Sequence, residues 1–186
     1  MSSYKVLRKQ NLESGNFSLV PIRFEDRLDI MKWRNEQVYH LRQDKPLTIE
    51  NQDIYFKTVI SNLFDKEQPN QILFSFLEND NLIGYGGLVH LNWIDKNAEI
   101  SFIMNTKLEE TRFEDVWKAY LKLLEKVAFI DLEFHKIFTY AFDLRPKLYP
   151  VLISAGFNED SRLDEHCFFE GKYIDVVIHS KMNSKC

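Results

Sequence analysis

The spacing of apolar residues changes repeatedly along this chain, from every second position to every third or fourth, which predicts strands alternating with helices. "FSLVPIRFE", Phe17 to Glu25, alternates as a strand, and Pro21 marks an edge position because it cannot donate to a ladder. "DRLDIMKWRNEQ" follows as a short helix, with Asp26 as N-cap and with Ile30 and Trp33 on one side. Thr48 caps a longer helix, "TIENQDIYFKTVISNLF", whose Ile49, Tyr55, Phe56, Val59, Ile60 and Leu63 keep helical spacing. "QILFSFLE", the turn "NDN" and "LIGYGGLVHLNW" predict a hairpin, since asparagine and aspartate tolerate left-handed turn geometry. "AEISFIMN" is a further strand. The helix that begins near Phe113 buries Val116, Tyr120, Leu123, Leu124 and Val127. "HKIFTYAFD" is a strand, and "RPKLYPVLISAGF" is a helix stopped at Gly156, in which Pro150 is tolerable only in the first turn. "HCFFEGKYIDVVIHSKM" closes the chain as a hairpin turning at Glu170 and Gly171.

The predicted order, β-α-α-β-β-β-α-β-α-β-β, is that of an α+β protein with a mixed sheet. A chain of 186 residues is expected to form a single domain, residues 1–186, with a substantial core. The hydrophobic fraction of 45% and the charged fraction of 28% are ordinary for a soluble globular protein. A net charge of −4 with no basic run argues against nucleic acid as the main ligand. No apolar run approaches the roughly 20 residues needed to span a bilayer, and the N-terminus lacks an apolar signal core, so a cytoplasmic protein with no membrane partner is expected. Cys167 and Cys186 have no metal-ligand spacing around them, which suits a reducing compartment and a protein without a bound metal. His166 and Cys167 are strand neighbours on opposite faces and so form no nucleophile–base dyad.

Several local motifs, taken in this order, resemble the GNAT superfamily of acyl-CoA N-acyltransferases over about residues 17–182. They are "MKWRNEQ" after the first strand, "LIGYGGL" and "AEISFIM" on the third and fourth, "KVAFIDLEFHKI" with "ISAGF", and "FFEGKYIDVVIHSKM". The branch they are most similar to contains ribosomal-protein N-terminal acetyltransferases and N-acetyltransferases of amino-sugar nucleotides. The resemblance implies a GNAT-type, mostly antiparallel sheet flanked by helices, whose splayed central strands admit acetyl-CoA. It implies pantetheine along the open edge of "AEISFIM", at Ile103 and Met104, and pyrophosphate at the start of the next helix. The family's R-G-x-G-x-G loop falls on Arg112, Phe113, Glu114, Asp115, Val116 and Trp117. The arginine is kept, whereas Phe113, Asp115 and Trp117 stand in for glycines. A carboxylate repels pyrophosphate, and each added Cβ obstructs the approach of a phosphate to the backbone. Three readings follow: CoA bound along another loop path with charge from Arg112 and Lys107, weak binding or a different donor, or a catalytically silent binding or scaffold protein.

N-acyl transfer needs a proton acceptor for the attacking amine, N–H donors facing the oxyanion and a proton for the departing thiolate. The resemblance puts Glu99 at the position of a carboxylate that draws the amine's proton through water; read structurally, it is a solvated strand-end charge or a lysine's partner. His90 and Tyr85 belong to the preceding strand and can face the same cleft, although their odd spacing points them to opposite faces of an unbulged strand. Histidine is the residue type suited to act as a base near neutrality, and the plainer reading of His90 is a packed strand histidine. The tyrosine that protonates the leaving group in many relatives falls at Leu152, with Tyr149 a turn earlier. The family's asparagine slot falls at Arg145, which contacts a CoA phosphate or caps element ends. Trp33, Arg34 and Asn35, with His40 and Arg42 beyond them, match the acceptor-binding region. Arg34 there either pairs with a diphosphate, for which guanidinium geometry is suited, or ties its helix to a loop while Trp33 fills core. The expected activity is acetyl transfer from acetyl-CoA to a small-molecule amine acceptor, an amino-sugar nucleotide ahead of a protein N-terminus. Direct attack is expected, since no nucleophile with an adjacent base points to an acyl-enzyme. Monomer and homodimer both remain open.

Overall fold

The computed structural model describes residues 2–41, 43 and 45–184, so the expectations for Arg42 and Cys186 lie outside it. Strands β1 (Leu12–Ser14) and β2 (Phe17–Pro21) precede helix α1 (Arg27–Glu36). Helix α2 (Ile49–Tyr55) continues through a π-helical stretch, Phe56–Ile60, and a last turn, Ser61–Leu63. Strands β3 (Gln71–Glu78), β4 (Asn81–Asn92) and β5 (Asn97–Met104) lead into α3 (Thr106–Thr111) and α4 (Phe113–Glu125). The chain ends with β6 (Lys136–Phe142), α5 (Leu148–Ser154), β7 (Asn158–Phe169) and β8 (Lys172–Met182). The strands form one sheet in the order β1-β2-β3-β4-β5-β6-β8-β7, and among the described pairings β5 with β6 is the parallel one. This is the mixed, mostly antiparallel α+β architecture expected from the sequence.

Two elements were not expected. β1 is only three residues long, too short for an alternating pattern, and it is held against β2 by a turn at Gly15 with φ of +62°. It covers β2 only as far as Leu19, so Pro21 keeps a free side for its missing N–H. α3 inserts a turn and a half before α4, started by Asn105, whose side chain accepts from the Lys107 amide at 3.0 Å.

Local chemistry explains most of the rest. The β3–β4 turn places Asn79 and Asp80 at φ of 48° and 65°, the left-handed pair that a tight hairpin requires. Thr48 and Asn51 cap α2 reciprocally. Asp26 does not cap α1; it turns inward, accepts two bonds from Arg23 and one from the Ser75 hydroxyl, and so ties the helix entry to β3. Pro150 falls in the first turn of α5, where its missing amide breaks no ladder. Helix α4 and its π-helical continuation, Lys126–Asp131, bury Val116, Tyr120, Leu123, Leu124 and Val127 as the spacing predicts, with Tyr120 stacked on Phe102 at 3.8 Å. Along α2 the expected stripe is only half inside: Phe56, Ile60 and Leu63 are buried, while Ile49, Tyr55 and Val59 face solvent. The π-helical stretch resets the helical phase there.

Candidate active site

β5 and β6 pair at only three positions, Asn97 with Lys136, Ala98 with Ile137 and Glu99 with Phe138. Beyond Glu99 the strands part, and a cleft of about 590 Å³ opens between them. Asn105 donates its amide to Ile83, so strand alternation turns the peptide groups of Ile103 and Ser101 towards β4. Those of Ile100, Phe102 and Met104 then face the gap. Gln37, fully buried on the exit of α1, already donates to the Met104 carbonyl at 2.7 Å. The free edge is therefore centred on Ile100 and Phe102, whereas the sequence placed it at Ile103 and Met104. Two buried polar atoms in this cleft, Trp117 Nε1 and Thr139 Oγ1, have no protein partner among the described residues. Such atoms are costly unless a ligand or water completes them.

Glu99 stands at the last rung, and its Oε2 lies 2.8 Å from Nδ1 of His90. A straight β4 would turn His90 and Tyr85 to opposite faces. The strand is irregular between Val89 and Asn92, however, and His90 takes φ of 50°, which rotates its side chain into the site. Tyr85 and His90 thus line the same second cavity, of about 800 Å³, bounded by α1, α2 and the β3–β4 hairpin. The two clefts share Arg34, Leu41, Val89, His90 and Ser101, so they meet beside the Glu99–His90 pair. Tyr85 is buried, which raises its pKa and keeps it protonated; its oxygen accepts from Nη1 of Arg34 at 2.9 Å.

The glycine-free loop is organised differently from the phosphate cradle whose position it takes. Arg112 is held bidentately by Glu78, at 2.8 and 3.0 Å, and is not free for a phosphate. Asp115 is exposed on the first turn of α4. Phe113 and Trp117 turn their ring faces to cations from the loop after β6: Lys147 lies 4.2 Å from the Phe113 centroid, and Arg145 lies 5.7 and 5.9 Å from Phe113 and Trp117. Both cations converge on Glu109 Oε1, at 3.2 and 3.3 Å, and Glu109 is 3% exposed, its other oxygen without a partner among the described residues. Nothing in the sequence singled out Glu109 or Lys147; their role arises from α3, which the apolar pattern did not reveal.

Three expected acceptor residues are placed differently. Trp33 is buried in the core. Asn35 clamps the loop that follows α1, donating to the Leu47 carbonyl and accepting from the Leu47 amide and from Gln43. His40 sits at the other cleft, 3.4 Å from Nη1 of Arg145. Arg34 alone of the "WRN" triplet lines the second cavity. Tyr149 gives its hydroxyl to Asp143 at 2.7 Å and lines neither cleft. Cys167 is buried and His166 exposed on opposite faces of β7, as expected.

Burial, and then the charge of Arg145, push the His40 pKa down from 6.5 to about 3. A depressed base stabilises the fold fully above its unfolded pKa and loses that contribution as pH falls towards the folded value. The melting temperature is expected to drop between pH 7 and 5, and His40→Gln should flatten that slope. An unchanged slope in the variant would show that His40 does not titrate as placed.

Residues 19–178 match the acetyltransferase (GNAT) domain family. Over 120 residues the chain is 29% identical to the spermidine N(1)-acetyltransferase of Vibrio cholerae serotype O1, covering 63% of this chain and 68% of that protein. The crystal structure of spermidine N-acetyltransferase from Vibrio cholerae in complex with CoA and spermine shares its fold with a TM-score of 0.80 at 20% identity, over 92% of this chain and 98% of that one. A dodecameric structure of that enzyme in an intermediate state gives 0.74 at 22% identity, over 92% and 96%. These relatives are named for spermidine and do not single out the ribosomal-protein and amino-sugar-nucleotide branch expected from the motifs. With the family matched from residue 19 to residue 178 and its fold shared over 92% of the chain, this protein belongs to the GNAT family of N-acetyltransferases.

Proposed function

We propose that the protein transfers an acetyl group from acetyl-CoA, lying in the cleft between β5 and β6, to the primary amine of a small acceptor in the adjoining cavity. The observation that carries this is the meeting of two clefts at one carboxylate–imidazole pair, Glu99 and His90, 2.8 Å apart. The donor supplies an activated acyl carbon and a thiolate leaving group. The open edge at Ile100 and Phe102 suits the amide-rich arm of pantetheine, and the unpartnered atoms of Trp117 and Thr139 suit a polar ligand lying between the strands. Arg145, already a phosphate candidate in the sequence, and Lys147 would hold the phosphates in exchange for Glu109, in place of Arg112, which Glu78 occupies.

Glu99 accepts the proton of the attacking amine, directly or through water, and His90 orients the carboxylate and passes the proton to solvent. His90 is well placed to do so because 78% of its side chain is exposed, against 21% for Glu99. The neutral amine then forms the new C–N bond as the C–S bond breaks, and the proton shed by the acylated nitrogen neutralises the departing thiolate.

Calorimetry with acetyl-CoA, followed by a thiol-release assay over a panel of primary amines, tests the reading. Binding below millimolar coenzyme and amine-dependent thiol release are expected. Silence at millimolar coenzyme would instead favour a non-catalytic binding protein.

A further inference from the structure

The acceptor-side cavity has no carboxylate in its lining among the described residues. A polyamine carries several ammonium groups, and each needs a counter-charge when it leaves water. The fixed charge this cavity offers has the opposite consequence, because it is the guanidinium of Arg34.

Arg34 differs from the other arginines described. Arg8, Arg23, Arg27, Arg112, Arg145 and Arg162 each hold a carboxylate within ion-pair distance. Arg34 holds none among the described residues, although it is half-buried. Its partners are neutral: the Gln43 side-chain oxygen at 3.2 Å from Nε, and the Tyr85 hydroxyl at 2.9 Å from Nη1. These two contacts orient the planar fork while leaving N–H groups free to face a ligand. A fixed, partly desolvated cation without a counter-ion binds anions more strongly than a mobile surface one, since its reorganisation and part of its desolvation already belong to the fold. Its location adds the functional link, because Arg34 lines both clefts where they meet.

We propose that the acceptor is an amine carrying its own carboxylate or phosphate, and that this anion sits on the Arg34 guanidinium at the junction of the two clefts. The inference rests on the acetyltransferase reading and names the substrate class that reading left open. The anion anchors one end of the acceptor, and the amine at the other end reaches the Glu99–His90 pair.

The test is calorimetric binding of matched probes to the full chain, wild type and Arg34→Gln, which needs no turnover. Glucosamine 6-phosphate against glucosamine probes the phosphate, phenylalanine against phenylalaninamide probes the carboxylate, and spermidine is the polycation. The wild type is expected to favour the anionic member of at least one pair by about tenfold or more. Arg34→Gln should erase that preference while leaving the neutral member's affinity nearly unchanged, and spermidine should bind weakest. Equal binding within both pairs, a preference that survives in Arg34→Gln, or spermidine as the tightest probe would each overturn the proposal. Should Arg34→Gln melt well below the wild type, Arg34→Lys decides, because it keeps the charge and loses the fork: a narrowed preference supports the proposal and an unchanged one overturns it. Absence of amine-dependent thiol release with any probe counts against the acetyltransferase reading alone, since the binding preference is measured separately.

Discussion

Gly86→Ala is expected to destabilise the protein by about 3 kcal/mol or more, a large share of the roughly 5–15 kcal/mol by which a domain is held folded. Gly86 sits mid-sheet on β4, opposite Phe102 on β5. A Cβ there would stand 2.0 Å from the Ser101 carbonyl oxygen, 2.7 Å from the Tyr120 hydroxyl and 2.8 Å from Phe102 Cα. Two of these obstacles are backbone atoms of a paired strand, and the third is a tyrosine fixed by its bond to the Ser101 carbonyl at 2.8 Å and its stacking on Phe102. None can yield without separating β4 from β5 or expelling Tyr120 from the core. Chemical denaturation of the variant reads the cost directly. A melting temperature within a few degrees of wild type would mean that the sheet is more compliant here than its packing indicates.

Glu99→Gln is expected to lower kcat/KM by about 100-fold or more, in the range that removal of a general base produces. The amide keeps the shape and can still meet His90, but it cannot take up a proton. Because Glu99 and His90 are both partly exposed, the melting temperature should move little, which separates a chemical loss from a folding loss. An undiminished rate would remove Glu99 from the mechanism and leave water as the proton acceptor.

Much of this architecture could be read from local pattern, because strand alternation, the α4 stripe and the Asn79–Asp80 turn are decided by neighbours in sequence. β1 and α3 escaped because three residues hold no period and six residues with a single apolar one, Leu108, hold no stripe. Glu99, His90 and Tyr85 were found as types, but their convergence depends on an irregularity in β4 that only His90's left-handed backbone reveals. The fates of the cations were beyond reach for another reason: Arg112 meets Glu78, 34 residues away, and Arg145 meets Glu109, 36 residues away. Such pairings are settled by tertiary geometry. Arg34 drew attention through its neighbours Trp33 and Asn35, yet those two proved structural, and the lack of a carboxylate partner among the described residues that sets Arg34 apart is a property of the whole arrangement.

The short ladder between β5 and β6 also governs how the molecule holds together. Three rungs are all that join the strands of its first half to β6, β8 and β7 within the sheet, so the donor cleft doubles as a mechanical seam. Any molecule that lies along it stitches one half to the other and is rewarded with the stability of both. A ligand bound along this seam is therefore expected to slow proteolysis of the chain, which limited digestion with and without acetyl-CoA would read.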